Sequence, residues 1–330
     1  MSGDNWGLLG HEWAVDLLKG HIAGDAVRHA YLFTGPPGLG RRTLALRFAQ
    51  ALNCPNAKAS GEPCRSCRTC AQIEAMQYPD LAVVQAEAEG GVLKIEQVRA
   101  VQHALSLKPF QSKYRVAAFL RFQEANQNAQ NAMLKTLEEV PAYVVLILTA
   151  DNAEQLLPTI ASRCEILRMR PLSSESVAAY LQSRGADADS ARLLAHLCEG
   201  RPGYALRLQT DPAALEFRRE RLDDLQSLLS ASRREKFAYA EKLAKDKEST
   251  RRVFMLWLSY WRDVMLCTAE RNVRLANVDR DAEIGALADK LTLSASRRVV
   301  AGIEKAIERL DANVNVRLQA EVLLLDLPRG

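Results

Sequence analysis

Gly35-Pro36-Pro37-Gly38-Leu39-Gly40-Arg41-Arg42-Thr43 is the stretch on which the reading of this chain turns. Its glycines stand where a phosphate-binding loop needs them, free to wrap backbone N–H groups around an anion at a helix N-terminus. The lysine that grips terminal phosphates is replaced by Arg41. The hydroxyl that holds magnesium is replaced by Arg42, and Thr43 offers one a residue late. A planar guanidinium is not a neutral exchange for an ammonium, and Arg42 cannot ligate a cation. Ala30 to Thr34 before the loop predicts a buried strand, and Thr43 to Ala51 predicts the helix that follows. The strand, loop and helix of a P-loop are thus in place. Gly35, Gly38, Gly40, Arg41, Arg42 and Thr43 form a degenerate cofactor cradle, at which hydrolysis of ATP or ADP is not expected.

With 330 residues, the chain is long enough for two or three domains rather than one core. No apolar run approaches the roughly 20 residues that span a bilayer. The opening MSGDNWGLLG has no basic region followed by an apolar stretch, so the expectation is a cytoplasmic protein without a membrane partner. Its 44 basic against 40 acidic residues permit contact with nucleic acid without requiring it.

Of the seven cysteines, Cys54, Cys64, Cys67 and Cys70 cluster, while Cys164, Cys198 and Cys267 are scattered. Two Cys-x-x-Cys steps sharing Cys67, with Cys54 nine intervening residues upstream, let four thiolates converge on zinc. Pro55, Gly61 and Pro63 favour a turning loop between them. A redox disulfide pair would leave two thiols over and belongs at the helix start of a thioredoxin-like unit. Four protein ligands close the site, so its expected role is structural.

Along residues 1–170, apolar strand candidates alternate with helical patterns, the signature of a parallel sheet covered by helices. The strands are Tyr31 to Thr34, Leu81 to Gln85, Arg115 to Leu120, Val144 to Thr149 and Glu165 to Met169. Past Pro171 the strands stop. Asp187 to Glu199 reads as a helix ended by Gly200, and beyond Asp211 everything reads helical. Phe254, Trp257, Leu258, Trp261, Val264 and Met265 make a wide apolar stripe. The tail shows no clustered acid, base or nucleophile and reads as a packing or assembly domain.

With these pieces in view, the chain resembles the clamp-loader family of AAA+ proteins over nearly its whole length. HAYLFTGPPGLGRRTLALRFAQALNC at 29–54 is similar to the family's opening strand, loop and helix, and the four cysteines fall at its zinc module. NAMLKTLEEVP at 131–141 and LLPTIASRC at 156–164 are characteristic family strings. WLSYWRDVML at 257–266 and ANVNVRLQAEVLLLDL at 312–327 resemble its collar. The resemblance implies an α/β P-loop (AAA+) parallel-sheet domain at 1–170 with an inserted four-cysteine zinc module at 54–70. It further implies an α-helical lid domain at 171–208 and an α-helical collar at 209–330.

It also implies which catalytic groups are missing. Counted back from Asn131, the positions of the family's Asp-Glu pair are Leu120 and Arg121, with Glu124 three residues late, and the lid arginine falls at Gly203. Ser162-Arg163-Cys164 survives. In the family, that arginine reaches into a neighbouring subunit's nucleotide site, so Arg163 is the expected catalytic residue in trans. The implied function is that of a non-hydrolysing subunit in DNA replication. Its expected partners are gamma/tau-like clamp-loader ATPase subunits and a delta-like subunit, with the sliding clamp engaged through the complex and primer-template DNA met weakly or indirectly. Lys94, Arg99, Lys108, Lys113 and Arg115 are candidates for a groove along DNA phosphates. Two other readings stay open: an active ATPase with a variant P-loop, and a zinc-dependent nucleic-acid module on an inactive NTPase fold.

Overall fold

The computed structural model describes residues 5–88, 90–270, 273–312 and 314–328. Asn313, within the collar-like string, lies outside the described residues. In chain order the elements begin with α1 (Glu12–Ala23), β1 (Ala30–Thr34), α2 (Arg41–Asn53), α3 (Arg68–Glu74), β2 (Leu81–Val84), α4 (Ile95–Leu105) and β3 (Arg115–Phe119). There follow α5 (Gln127–Glu138), β4 (Val144–Ala150), α6 (Pro158–Ala161), β5 (Glu165–Arg168), α7 (Ser174–Ser183), α8 (Ala188–Leu197) and α9 (Pro202–Thr210). The remainder is α10 (Pro212–Ser230), α11 (Arg233–Leu243), α12 (Lys247–Ala269), α13 (Asp281–Lys290), α14 (Leu293–Asp311) and α15 (Val316–Asp326).

The five strands form one sheet in the order β2-β3-β4-β1-β5, every pair parallel. Parallel strands joined through helices are covered on both faces and so read as continuous apolar runs; β1 and β4 are buried along their whole length. Successive side chains then alternate between two cores. Tyr31 and Phe33 pack with Leu44 and Phe48 of α2 on one face. Ala30 and Leu32 pack with Val98 of α4 and Met133 of α5 on the other. Each of these large side chains contributes about 1.5–3 kcal/mol by leaving water. Local signals agree with the sheet: Asn126 caps α5 by accepting from Ala129 N at 2.8 Å, and Gln97 reaches back to Lys94 N at the start of α4.

Two compact units result. One comprises residues 1–173 together with Gly200–Tyr204; the other comprises Ser174–Glu199 and the chain from Ala205 onward. In the second unit, α7 and α8 pack against each other, and His196 Nδ1 lies 3.1 Å from Leu275 O. Its core is built on α12, where Phe254, Trp257 and Trp261 are fully buried and Trp257 Nε1 donates to Arg221 O at 3.0 Å.

The expectation that this tail has no clustered acids or bases is corrected here. Arg218, almost wholly buried, donates to both oxygens of Asp279 at 2.6 and 2.9 Å and to Asn277 Oδ1 at 2.7 Å. Asp263 in turn accepts from Asn277 N at 2.7 Å and Asn277 Nδ2 at 2.9 Å. Burial pushes the Asp263 carboxyl above its ordinary value, and these hydrogen bonds oppose it. The network is buried and nearly satisfied, which fits a packing role rather than a reactive one.

Candidate functional site

The P-loop follows β1 at the C-terminal edge of the sheet, where open α/β sheets place their ligands. Gly35, Gly38 and Gly40 have φ of 141°, 92° and 94°, conformations in which a Cβ would be strained. Gly35 N donates to Asp151 O at 3.0 Å, fastening the loop to the end of β4. The helix begins at Arg41, two residues earlier than Thr43, because Gly40 in the left-handed region turns the chain directly into it.

Arg41 is buried, and its Nη2 donates to Asp151 Oδ1 at 2.7 Å. Its Nη1 is also buried and has no hydrogen-bond partner among the described residues. Arg42 and Thr43 are exposed, and Arg42 points to Met76 Sδ at 3.4 Å. Of the six residues expected in the cradle, the three glycines and Arg41 therefore face the loop's interior contacts, whereas Arg42 reaches outward. Asp151 was not singled out in the sequence; an acid directly after the strand beside β1 was the available signal.

The two positions expected to hold an acidic pair carry no acid. Leu120 is buried and its N donates to Val84 O. Arg121 takes a left-handed conformation at φ 52°, and its Nε donates to Glu124 Oε1 at 2.8 Å. Glu124 lies beyond the strand in a single 3-10 turn, and the same oxygen accepts from Gly90 N at 2.8 Å. Oε1 is thus shared by Arg121 and Gly90, while Oε2 is buried without a hydrogen-bond partner among the described residues.

Gly203 has a steric reason of its own. Its N donates to Gly38 O at 2.8 Å, and a Cβ there would stand 2.9 Å from that oxygen and 3.3 Å from Gly38 Cα. Only glycine fits so close to the P-loop backbone.

Arg163 follows the short α6 and keeps about a third of its side chain exposed, 36%. Its Nη1 donates to Thr159 O at 2.9 Å and its Nη2 to Glu138 Oε1 at 2.6 Å. Glu138 ends α5, so the two characteristic strings meet in one exposed ion pair. Gln130 Oε1 adds a second link by accepting from Leu157 N at 2.9 Å. Exposed pairs of this kind contribute about 0–1 kcal/mol, so the guanidinium can be redirected at little cost.

The four clustered cysteines converge. Their sulfurs all lie within 4.8 Å of one another, with Cys54–Cys64, Cys54–Cys67 and Cys64–Cys70 at 3.5, 3.9 and 4.0 Å. A tetrahedron of thiolates about 2.3 Å from a metal has edges of about 3.8 Å, so number, element and spacing fit a closed four-cysteine centre. Cys67 N and Cys70 N point at the sulfurs of Cys64 and Cys67. Backbone N–H groups of Ser66 and Cys67 draw the Cys64 thiol down to about 6, while burial pushes Cys54 and Cys70 up. A cation is what would hold all four together as thiolates.

The five basic residues are spread along α4 and beyond both of its ends. Lys94 opens α4 beyond the C-terminal end of β2, whereas Lys108, Lys113 and Arg115 lie past the other end of that helix, which is 11 residues or about 16 Å long. Lys113 pairs with Asp25 at 2.9 Å, and Arg115 Nη1 donates to Leu107 O and Lys108 O. A buried acid also escaped notice: Asp80 accepts from Phe110 N, Gln111 N and Ser112 Oγ at 2.7 to 2.9 Å and shapes the loop before β3.

Fold and site together define a P-loop protein of the AAA+ class, with Arg41, Leu120, Arg121 and Gly203 at the positions described above. Two family models match it, "DNA polymerase III, delta subunit" over residues 10–173 and "DNA polymerase III, delta subunit, C terminal" over 212–328. The chain belongs to the clamp-loader family of bacterial DNA polymerase III, on its delta-prime branch. It is 29% identical to the Bacillus subtilis DNA polymerase III subunit delta' over 320 residues, 96% of this chain and 95% of that one. It is 30% identical to the B. subtilis subunit tau over 170 residues, 52% of this chain but only 30% of tau. Among solved structures, a gamma subunit-related protein of Thermotoga maritima aligns over 95% of this chain and 98% of its own at 17% identity, with a TM-score of 0.42.

Proposed function

We propose that this chain is a non-hydrolysing clamp-loader subunit that supplies Arg163 in trans to the nucleotide site of a neighbouring gamma/tau-like ATPase subunit. The observation that carries the reading is a contrast. Arg163 is partly exposed and held by a surface pair with Glu138 and a hydrogen bond to Thr159 O, whereas Arg41, in the chain's own pocket, is buried and paired with Asp151. A planar fork that leaves Glu138 can take a phosphate oxygen with the same donors, stabilising charge as the phosphoryl group transfers. An arginine supplied this way changes turnover by orders of magnitude.

The other parts follow from this role. Residues 171–208 serve as a lid and 209–330 as a collar that holds the chain to its ATPase and delta-like neighbours, and the assembly opens the sliding clamp and sets it on primed DNA. Cys54, Cys64, Cys67 and Cys70 hold structural zinc that fixes the 54–70 loop.

The test is reconstitution with gamma/tau-like and delta-like subunits. Arg163→Ala should assemble normally yet lower ATP turnover on the order of a hundredfold or more at the one adjacent site. Unchanged turnover and clamp loading would remove the assignment. Efficient ATP hydrolysis by the isolated chain would favour the reading as an active ATPase with a variant P-loop.

A further inference from the structure

Within the second unit, α10 and the turn joining α11 to α12 enclose a cleft of about 210 Å³. This is smaller than the ~300 Å³ and upward of a drug-sized pocket, so it has room for one bulky side chain. Its floor is apolar, with Leu243 and Val253 beside the rings of Phe217 and Tyr239.

The charge around it leans basic. Lys242 and Lys245 line the opening and are exposed, and neither has an acidic partner among the described residues. The Arg252 guanidinium lies 5.2 Å from the Phe217 ring, and that of Arg221 lies 5.4 Å from it. Arg221 is balanced by Glu220 at 2.7 Å and Asp224 at 2.8 Å, yet its Nε is buried without a partner. The acid in the lining, Asp246, already caps α12 by accepting from Glu248 N at 3.0 Å. With Arg221, Lys242, Lys245 and Arg252 against Glu220, Asp224 and Asp246, four cations face three carboxylates, and among the described residues Lys242, Lys245 and Arg252 are the ones not engaged by an acid.

We propose that this cleft is a docking site for an acidic peptide segment of a partner protein, one bulky apolar side chain filling it and flanking carboxylates meeting Lys242, Lys245 and Arg252. A basic rim around an apolar floor is complementary to that pattern, since the anchor supplies affinity and the charges supply orientation and on-rate. Single-stranded nucleic acid fits less well. A base needs a free aromatic face, but Phe217 already carries two guanidiniums and Tyr239 is stacked on Trp257 at 6.1 Å. The inference stands on the cleft alone and does not depend on the role of Arg163.

The experiment uses the full chain and fluorescence anisotropy with a fluorescein-labelled peptide, DDELDD, beside its DDESDD counterpart and a labelled oligo(dT). Saturable binding of DDELDD that weakens with salt is expected, with DDESDD at least about tenfold weaker. Two variants remove the site in different ways. Lys242→Glu with Lys245→Glu reverses the rim, and Ser249→Trp, changed at a half-buried lining position, fills the cleft; each should cost about tenfold or more while circular dichroism stays unchanged. No saturable binding, equal binding of the two peptides, insensitivity to both variants or tighter binding of oligo(dT) would each overturn the proposal.

Discussion

Gly203 and Asp80 are single residues whose identity is dictated by atoms far away in sequence. Adding a methyl group at Gly203 sets it against the backbone of Gly38, which has little room to give. Gly203→Ala should therefore destabilise the first unit by about 1–3 kcal/mol in urea unfolding. Gly285→Ala, at a helical position with nothing within 4 Å of the new Cβ, should instead stabilise by about 0.5–1 kcal/mol. At Asp80, burial favours the neutral acid, but the Phe110 and Gln111 N–H groups, the Ser112 hydroxyl and the Arg115 charge hold its carboxyl below the ordinary value. The sign follows from the lowered pKa: this stabilisation is complete above the unfolded value near 4 and is lost as pH falls through the folded one. Amide exchange at Phe110 and Gln111 should accelerate below about pH 4, and Asp80→Asn should produce the same acceleration at neutral pH.

At the scale of elements, β1 and β4 were the most legible strands because strands buried on both faces read as unbroken apolar runs, whereas the start of α2 was not, because it depends on the backbone angle at Gly40. Spacing also carried the convergence of the four cysteines, since they are local in sequence. The partners of Arg41 and Arg121 were harder. Asp151 is 110 residues from Arg41, and nothing in a linear pattern joins them. The five basic residues proposed along DNA are spread over the length of α4, a separation that their closeness in sequence did not reveal. For the four-cysteine loop, removing metal with a chelator at mildly acidic pH should release about one equivalent of zinc and open the 54–70 loop to protease while leaving the sheet folded. Cys64→Ser should show the same cleavage without chelator.

Each unit of the whole molecule has a core of its own, so calorimetry should resolve more than one transition. Arg218→Ala strands Asp279 and Asn277 and should lower only the transition of the helical unit, by about 3–5 kcal/mol. Gly203→Ala should lower only the other. The helical unit also leaves an apolar row on α15, where Leu318, Val322 and Leu325 are 52%, 42% and 41% exposed at i, i+4 and i+7. Rows like this one mark contact surfaces. Leu318→Glu with Leu325→Glu should leave the chain folded and monomeric while abolishing its entry into the reconstituted complex, as read by size-exclusion chromatography.

The residues standing where catalytic groups would be are not idle. Arg41 is bonded to Asp151, Arg121 to Glu124, and Gly203 lies flush against Gly38. An acid at 121 would lose the pair with Glu124 and an arginine at 203 would collide with Gly38, whereas a lysine at 41 could still meet Asp151. On the proposed non-hydrolysing reading, changes at positions 121 and 203 therefore act as a ratchet: each runs uphill in stability before it could favour hydrolysis.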